Sequence, residues 1–221
     1  MSNMNIKRVI IRILGVIGFS FFAVTSMANA AILDFTKSPF IGISGFVAGT
    51  TYDVTASGGS LNWSQSHDGS TCIGLACQID GLGVRDDEIT RGNEEIRIEF
   101  GTAVRVTGLA FLDLFTSRNG RSRERAVINY DGGSIFFDAL ASQFPGSTSG
   151  FRSENGLNIV TSYLAFTAGG SNDEIGSDDY ALAAVTVSAV PLPPSLIMFG
   201  IAMGGIGYLA RRRKKTATNL S

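Results

Sequence analysis

The chain has 221 residues, of which 44% are apolar and 17% are charged, with 27 glycines and 5 prolines. This composition excludes a disordered chain, and the lack of a strict glycine period excludes collagen. The net charge of −1 hides an uneven distribution, because all 19 acidic residues lie between Asp34 and Asp179 with only 10 basic ones, which leaves that region at −9. Since nucleic-acid-binding domains usually carry the opposite sign, we expect no nucleic-acid partner.

Residues 1–30 are typical of a secretory signal peptide. A basic start precedes an uncharged apolar run over residues 13–24. Ala28 and Ala30 then supply the small-x-small pattern that signal peptidase accepts, so we expect cleavage after Ala30, with Ala31 as the mature N-terminus. An uncleaved membrane anchor is the alternative, but the apolar run is short for a span of about 20 residues. The basic residues are Lys7, Arg8 and Arg12.

Residues 31–189 are predicted to form an all-β domain, an antiparallel β-sandwich of jelly-roll type. Apolar and polar residues alternate over 51–56, and over 95–100 they place Ile96, Ile98 and Phe100 on one face. Glycine-containing turn pairs separate the candidate strands, and no segment keeps a helical period over 11 residues. Gly108 lies inside a long apolar stretch, which indicates a bulge or bend. Further strands are expected at 103–115, 125–130, 134–138, 160–167 and 180–188.

Aromatic and histidine side chains follow the first predicted strand. Trp63 can stack on a sugar ring, although inward packing is commoner for a single Trp of a β domain. His67 is the only histidine and lies between Ser66 and Asp68. Side chains of consecutive residues diverge along an extended chain, so this run is not a catalytic triad and is interpreted as a polar turn.

Cys72 and Cys77 are the only cysteines. Outside the cytoplasm such a pair is typical of a disulfide, which would hold residues 73–76 as a tight loop. Closing so short a loop contributes about 2 kcal/mol. A zinc site is the alternative, but two thiolates without further ligands do not complete a zinc shell.

Two acidic runs suggest a calcium site near the ends of the domain. Hard cations take several oxygen ligands, and the −9 charge of the region would be relieved by a divalent ion. Asp86 and Glu88 would be the first ligands, because alternating side chains of an extended chain share one side. The alternative is that the acids are solvated at turns, and their spacing does not match an EF-hand. The ligand set is Asp86, Asp87, Glu88, Asp178 and Asp179.

Four arginines form a basic patch within this acidic region. Arg121 and Arg123, together with Trp63, are candidates for binding an anionic polysaccharide through bidentate hydrogen bonds. Pairing with Glu124 and other acids in an exposed loop is the alternative. Paired carboxylates also serve in glycoside hydrolysis. No acid partner is distinguished from a base partner here, so we expect no enzyme. The other two arginines are Arg118 and Arg125.

The C-terminus combines a proline-rich segment, an apolar run and a basic run. Three prolines in four residues resist helix formation, which keeps the segment extended and accessible. Residues 194–210 would reach about 25 Å as a helix, just enough to span a bilayer. The basic run should remain cytoplasmic, leaving 31–189 outside. These elements comprise Val190, Pro191, Leu192, Pro193 and Pro194, then Arg211, Arg212, Arg213, Lys214 and Lys215, followed by a tail over 216–221.

This C-terminal arrangement resembles the sorting signal of PEP-CTERM proteins, with Leu192 where that family commonly has Glu. A signal peptide is the expected companion. Looser similarity to PEP-CTERM ectodomains covers residues 81–89, 93–100 and 177–185. The resemblance implies export by a Gram-negative, exopolysaccharide-producing bacterium, an inner-membrane intermediate, and recognition by exosortase near the prolines. It further implies delivery to the cell surface or polysaccharide matrix.

The resulting hypothesis is a non-catalytic envelope or matrix protein, with a structural or glycan-binding role. The partners would be signal peptidase, exosortase and exopolysaccharide. No cofactor is expected apart from Ca²⁺. Two alternatives remain open: a secreted glycan-processing enzyme and a permanently membrane-anchored surface protein.

Overall fold

The computed structural model describes residues 29–67, 72–117, 119, 121–146, 148–170, 178–191, 199–206 and 208. These residues form a mostly antiparallel β fold, which confirms the all-β part of the predicted fold class. The strands are β1 (Ala31–Asp34), β2 (Ser44–Val47), β3 (Thr50–Ser57), β4 (Leu61–Asn62), β5 (Gly83–Val84), β6 (Glu95–Leu112), β7 (Glu124–Tyr130), β8 (Gly133–Asp138), β9 (Arg152–Gly170) and β10 (Ala181–Ala189).

Two long strands, β6 and β9, each contribute to two parts of the main sheet. The register of β6 against β9 shifts between Glu99 and Val104, which divides β6 into two halves. The first half pairs with β3 and with the second half of β9, which also pairs with β7. The second half of β6 pairs with β10 and with the first half of β9.

The strands therefore fall into two half-sheets. The larger half-sheet has the order β2-β3-β6-β9-β7-β8, using the first half of β6 and the second half of β9. The smaller half-sheet has the order β1-β10-β6-β9, using the other halves.

Both half-sheets contribute to one hydrophobic core. Phe111 on the smaller half-sheet lies 5.8 Å from Phe137 on β8, ring centroid to ring centroid, although their strands do not pair. The fully buried Tyr180 donates its hydroxyl hydrogen bond to the carbonyl of Thr167 on β9, at 3.2 Å. Ile96, Ile98 and Val185 belong to the same buried cluster. The sheet thus closes over its own apolar face, which removes that face from water.

The strand pattern matches the alternation in the sequence and differs from it in length. Ile96, Ile98 and Phe100 are buried on one side of β6, as predicted. The predicted segments at 95–100 and 103–115 are one continuous strand, and a register shift lies between Val106 and Gly108, at the predicted bulge. β9 begins eight residues before the predicted 160. β1, β2, β4 and β5 are two to four residues long, too short to show alternation.

Near the C-terminus the chain is helical over residues 199–206. No helix among the described residues has both the length and the apolar character needed to cross a membrane. The proposed signal peptide up to Ala28, the motif residues Leu192, Pro193 and Pro194, and the basic run Arg211, Arg212, Arg213, Lys214 and Lys215 lie outside the described residues.

Candidate functional site

The two acidic runs of the sequence lie side by side at one end of the domain. The amide of Ile89 donates to the carbonyl of Tyr180 at 2.7 Å, and the amide of Arg91 donates to the carbonyl of Asp178 at 3.1 Å. Leu82 and Leu182 exchange a further pair of backbone hydrogen bonds. These contacts align the segment after β5 with the segment before β10, about 90 residues apart in the chain.

The first acidic run is a tight loop folded back on β5. The amide of Val84 donates to the carbonyl of Glu88 at 2.8 Å, and the amide of Asp86 donates to the carbonyl of Val84 at 2.9 Å. Arg85 has a positive φ of 67°. Gly83 lies directly against the loop backbone, where an added Cβ would be 2.1 Å from the amide nitrogen of Glu88. A glycine at 83 is therefore required for this close approach.

Two further carboxylates, which the sequence analysis missed, reach the same end of the domain. Asp113 follows the last residue of β6, and its amide donates to the carbonyl of Ser149 at 2.9 Å. Glu124 begins β7, is only 2% exposed, and accepts a hydrogen bond from the amide of Phe115 through its carboxylate. Both lie at strand ends, and only strand pairing brings those ends together.

Six carboxylic side chains make up what we term the carboxylate cluster. Burial raises the pKa of Glu88 to about 9, with further increases from the charges of Asp179, Asp113, Asp87 and Glu124. Burial also raises the pKa of Glu124 to about 8; the Phe115 amide opposes this shift, and neighbouring carboxylates add to it. The raised pKa values favour the protonated forms of Glu88 and Glu124 at neutral pH. The cluster comprises Asp87, Glu88, Asp113, Glu124, Asp178 and Asp179.

The structure brings the predicted calcium ligands near one another without forming a ready cation site. Among the described residues, no group of three or more His, Cys, Asp and Glu is arranged to hold a metal ion. Charge interactions extend well beyond the 2.3–2.6 Å of calcium–oxygen bonds, so carboxylates can shift each other's pKa without sharing an ion. Asp178 forms an ion pair with Arg91, with 2.8 Å between the carboxylate oxygen and the guanidinium nitrogen. The carboxylate of Asp86 accepts a local hydrogen bond from the amide of Glu88 at 3.3 Å.

The predicted glycan-binding residues are not brought together by any contact among the described residues. Trp63 stacks on Phe40, with 4.5 Å between ring centroids and 12° between ring planes, and remains 37% exposed. The backbone amide of Arg121 donates a hydrogen bond to Oδ1 of Asn119 at 2.9 Å, whereas Arg123 forms a β-bridge with Thr116. Arg125 pairs with Asp138 on β8. The predicted basic patch is therefore partly used in pairing within the domain.

The side chain of His67 is buried, whereas the sequence analysis interpreted this residue as part of a polar turn. Its side chain is 3% exposed, and its Nδ1 lies 2.6 Å from Oδ1 of Asp80. The neighbouring Ser66 forms a β-bridge with Ile79. The partner of His67 is thus 13 residues away and belongs to an adjacent segment, which explains why a reading of consecutive residues missed it.

Cys72 and Cys77 form the predicted disulfide. The loop that they close, residues 72–77, packs on the outer face of the smaller half-sheet, where it covers a cluster that includes Ala110, Ala183 and Ala184. Thr36, two positions after the end of β1, holds the end of this loop. The amide of Cys77 donates to the Thr36 hydroxyl at 2.9 Å, and the amide of Gln78 donates to the Thr36 carbonyl at 2.8 Å. We term this segment the disulfide loop.

Replacing both cysteines by serine is expected to lower the free energy of unfolding of the domain by about 2 kcal/mol, because the unfolded chain gains the freedom of an open loop. Urea denaturation of the oxidised, reduced and C72S/C77S proteins measures this. Reduction of the wild type should reproduce the loss, while reductant should not change the double variant. Equal stability of oxidised and reduced wild type would contradict a stabilising role.

Comparison with known proteins adds no assignment: no protein-family pattern matches this chain, and no curated protein matches it.

Proposed function

We propose that this chain is an exported, non-catalytic envelope or matrix protein of a Gram-negative, exopolysaccharide-producing bacterium. A signal peptide directs export, and residues 194–210 hold the protein in the inner membrane. Exosortase recognises the proline-rich segment and releases the β domain to the cell surface or polysaccharide matrix. The role of the β domain is structural or glycan-binding. The proposal rests on the sequence features of the N- and C-terminal segments and on the separate β domain that lies between them.

One observation carries this proposal: the apolar side chains near the C-terminus lie outside the folded core. Phe199 is 64% exposed, and Ile206 and Tyr208 are similarly exposed. The buried cluster that fills the β domain is built from residues 33–187. An apolar segment that the core does not cover is suited to contact lipid, followed as it is by five consecutive basic residues.

Accessibility of both processing sites supports the same sequence of events. Ala30 is exposed, and Ala31 starts the edge strand β1 by pairing with Val187. At the other end, Val190 follows β10 directly, and Pro191 is exposed. Cleavage at either point would therefore leave every strand of the domain intact.

The strand order supports a jelly-roll body. When β6 and β9 are each counted as two strands and the pairs β2–β3 and β4–β5 are left out, eight strands remain. The smaller half-sheet contains the first, last, third and sixth of these eight. The larger half-sheet contains the second, seventh, fourth and fifth, with the β2–β3 hairpin added at its edge. This is the order of a jelly roll, a fold that occurs in capsid and lectin domains. The fold is compatible with a binding role.

A second candidate function, glycan hydrolysis, is favoured by one observation. Burial and neighbouring carboxylates raise the pKa of Glu88 to about 9, and a carboxyl group with a raised pKa is what glycosidases use as their general acid. Turnover of the organism's own polysaccharide, abolished in Glu88→Gln and retained in Glu99→Gln, would establish it. Without turnover the non-catalytic proposal stands.

The C-terminus of surface-released protein tests the main proposal. We expect mass spectrometry to find a mature chain that ends near Pro194 and lacks Leu220 and Ser221. Replacing Pro191, Pro193 and Pro194 by alanine should leave the full C-terminus in place and keep the protein in the membrane fraction. The reason is that the segment would lose the extended conformation that exposes it to a peptidase.

Pro145→Ala provides the matched control, since this proline lies in a turn of the domain and should not affect processing. An intact Leu220-Ser221 end on wild-type surface material would exclude proteolytic release and favour the permanently anchored alternative.

A further inference from the structure

The disulfide loop and the outer face of the smaller half-sheet border a partly open cavity of about 210 Å³. Ile73 and Leu75 of the loop form one wall, and Ile32 on β1 and Phe151 before β9 also line it. Ile73 is 81% exposed, so its side chain stands above the sheet rather than packing into the core. The disulfide holds this wall in place.

The floor of the cavity consists of small side chains on three neighbouring strands. Strand pairing aligns them in two rows that run across β10, β6 and β9. Gly108 pairs with both Thr186 and Asn155, and an added Cβ there would lie 3.0 Å from Oδ1 of Asn155 and 3.3 Å from the Thr186 hydroxyl oxygen. The lining residues of the two rows are Ala184, Ala110 and Ser153 in one, and Thr186 and Asn155, on either side of Gly108, in the other.

The chemistry of the lining is mixed and uncharged. Among the described residues that line the cavity, none carries a charge, although the surrounding region has a charge of −9. Ser153, Asn155 and Thr186 present two hydroxyls and one amide. The Asn155 amide donates to the Ser153 hydroxyl at 3.2 Å, whereas the Thr186 hydroxyl and Oδ1 of Asn155 make no hydrogen bond within the described part of the chain.

We propose that this cavity binds a neutral pyranose unit of a polysaccharide. The aliphatic walls suit the apolar face of a sugar ring, and the two hydroxyls and one amide suit its ring hydroxyls. The volume is below the roughly 300 Å³ at which drug-sized sites begin, which fits one ring. The ligand class deepens the binding role proposed above, and the biological source of the sugar rests on that proposed function.

Other ligand classes fit the lining less well. A charged ligand would meet no opposite charge, and an anion would be repelled by the acidic domain. An alkyl chain would offer no hydrogen bond to the Thr186 hydroxyl or to Oδ1 of Asn155. An extended peptide would pair with the edge strands β1 and β9 and not over the middle of the floor, where β10 and β6 have neighbours on both sides.

Saturation-transfer NMR on the full-length chain, held in a zwitterionic detergent that contains no sugar headgroup, tests the proposal. The probes are the methyl glycosides of glucose, galactose and mannose, with methyl glucuronate as the charged comparison. Since a single ring offers few contacts, dissociation constants should be on the order of millimolar. We expect transfer from at least one neutral glycoside and at least a fivefold weaker signal from glucuronate.

Two serine variants locate the binding. Ser153→Trp places a large ring in the cavity and should reduce the transfer at least fivefold. Ser134→Trp places the same ring on β8, at an exposed serine that does not line the cavity, and should leave it unchanged.

Absence of transfer from all three neutral glycosides, equal transfer in both variants, or preference for glucuronate would each overturn the inference. Export and C-terminal processing are measured separately by mass spectrometry, so failure of sugar binding and failure of the proposed function can be told apart.

Discussion

Gly83→Ala is expected to destabilise the β domain by about 3 kcal/mol or more, among the largest effects of any single methyl group in this chain. The added Cβ would lie 2.1 Å from both the carbonyl carbon of Asp87 and the amide nitrogen of Glu88. Both are backbone atoms, so no side-chain rotation relieves the overlap. The acidic loop would have to move off β5, breaking the hydrogen bond from Val84 to Glu88.

Urea denaturation of residues 31–189, followed by fluorescence of Trp63, measures this effect. Gly132→Ala is the matched control, because its Cβ would meet only the ring of Tyr130, on the exposed hairpin between β7 and β8. The control should stay within about 0.5 kcal/mol of wild type. If both variants lost the same stability, the close approach of loop and strand would not explain the requirement for glycine at position 83.

Stability of the domain is expected to fall as the pH rises from 5 to 9. The ordinary glutamate pKa is 4.5, and in the folded protein the pKa is about 9 for Glu88 and about 8 for Glu124. Between these values the folded state binds more protons than the unfolded state, so the free energy of unfolding decreases with pH. The contribution is fully present below pH 4.5 and is lost as the pH rises through 8 to 9. Each carboxyl can add a slope of up to about 1.4 kcal/mol per pH unit.

Glu124→Gln is the most direct test, because an amide can still accept the hydrogen bond from Phe115 but does not titrate in this range. We expect this variant to show a shallower pH dependence than wild type and to gain stability relative to it at pH 9. Glu88→Gln should act in the same direction. Glu99→Gln alters an exposed carboxylate on β6 and should keep the wild-type slope.

A wild-type stability that rises between pH 5 and 9 would contradict raised pKa values in the carboxylate cluster. The opposite shift at Asp131, whose pKa is lowered by hydrogen bonds from Ser162, does not interfere. Its contribution is lost only as the pH falls below about 4, outside the measured range.

Local patterns predicted the parts of this fold that depend on neighbouring residues. Alternation over 95–100 identified the buried face of β6, and Gly108 marked the irregularity in its register. The short spacing of Cys72 and Cys77 indicated their disulfide. Strand β1 was missed because four residues are too few to show a period, although its pairing with β10 completes the smaller half-sheet.

Local sequence patterns predicted only part of the candidate site. The acidic runs at 86–88 and 178–179 stood out because their residues are consecutive, whereas Asp113 and Glu124 are single carboxylates at strand ends. Nothing local distinguishes Glu124 from the exposed Glu99. Its burial and raised pKa arise from residues at the ends of β6, β7 and β10, which the strand order β10-β6-β9-β7 brings to one end of the domain.

By itself the sequence determined the all-β class, the paired cysteines, and the contrast between apolar, proline-rich and basic segments at the ends. These features follow from composition and spacing within a few residues, where side chains interact with their own backbone and with solvent. Only the tertiary structure decided which acidic side chains interact with one another and that His67 contacts Asp80. It alone also showed that the disulfide loop and three strands border an uncharged cavity. Those properties depend on distance through space, which hydrogen-bond register sets between strands far apart in the chain.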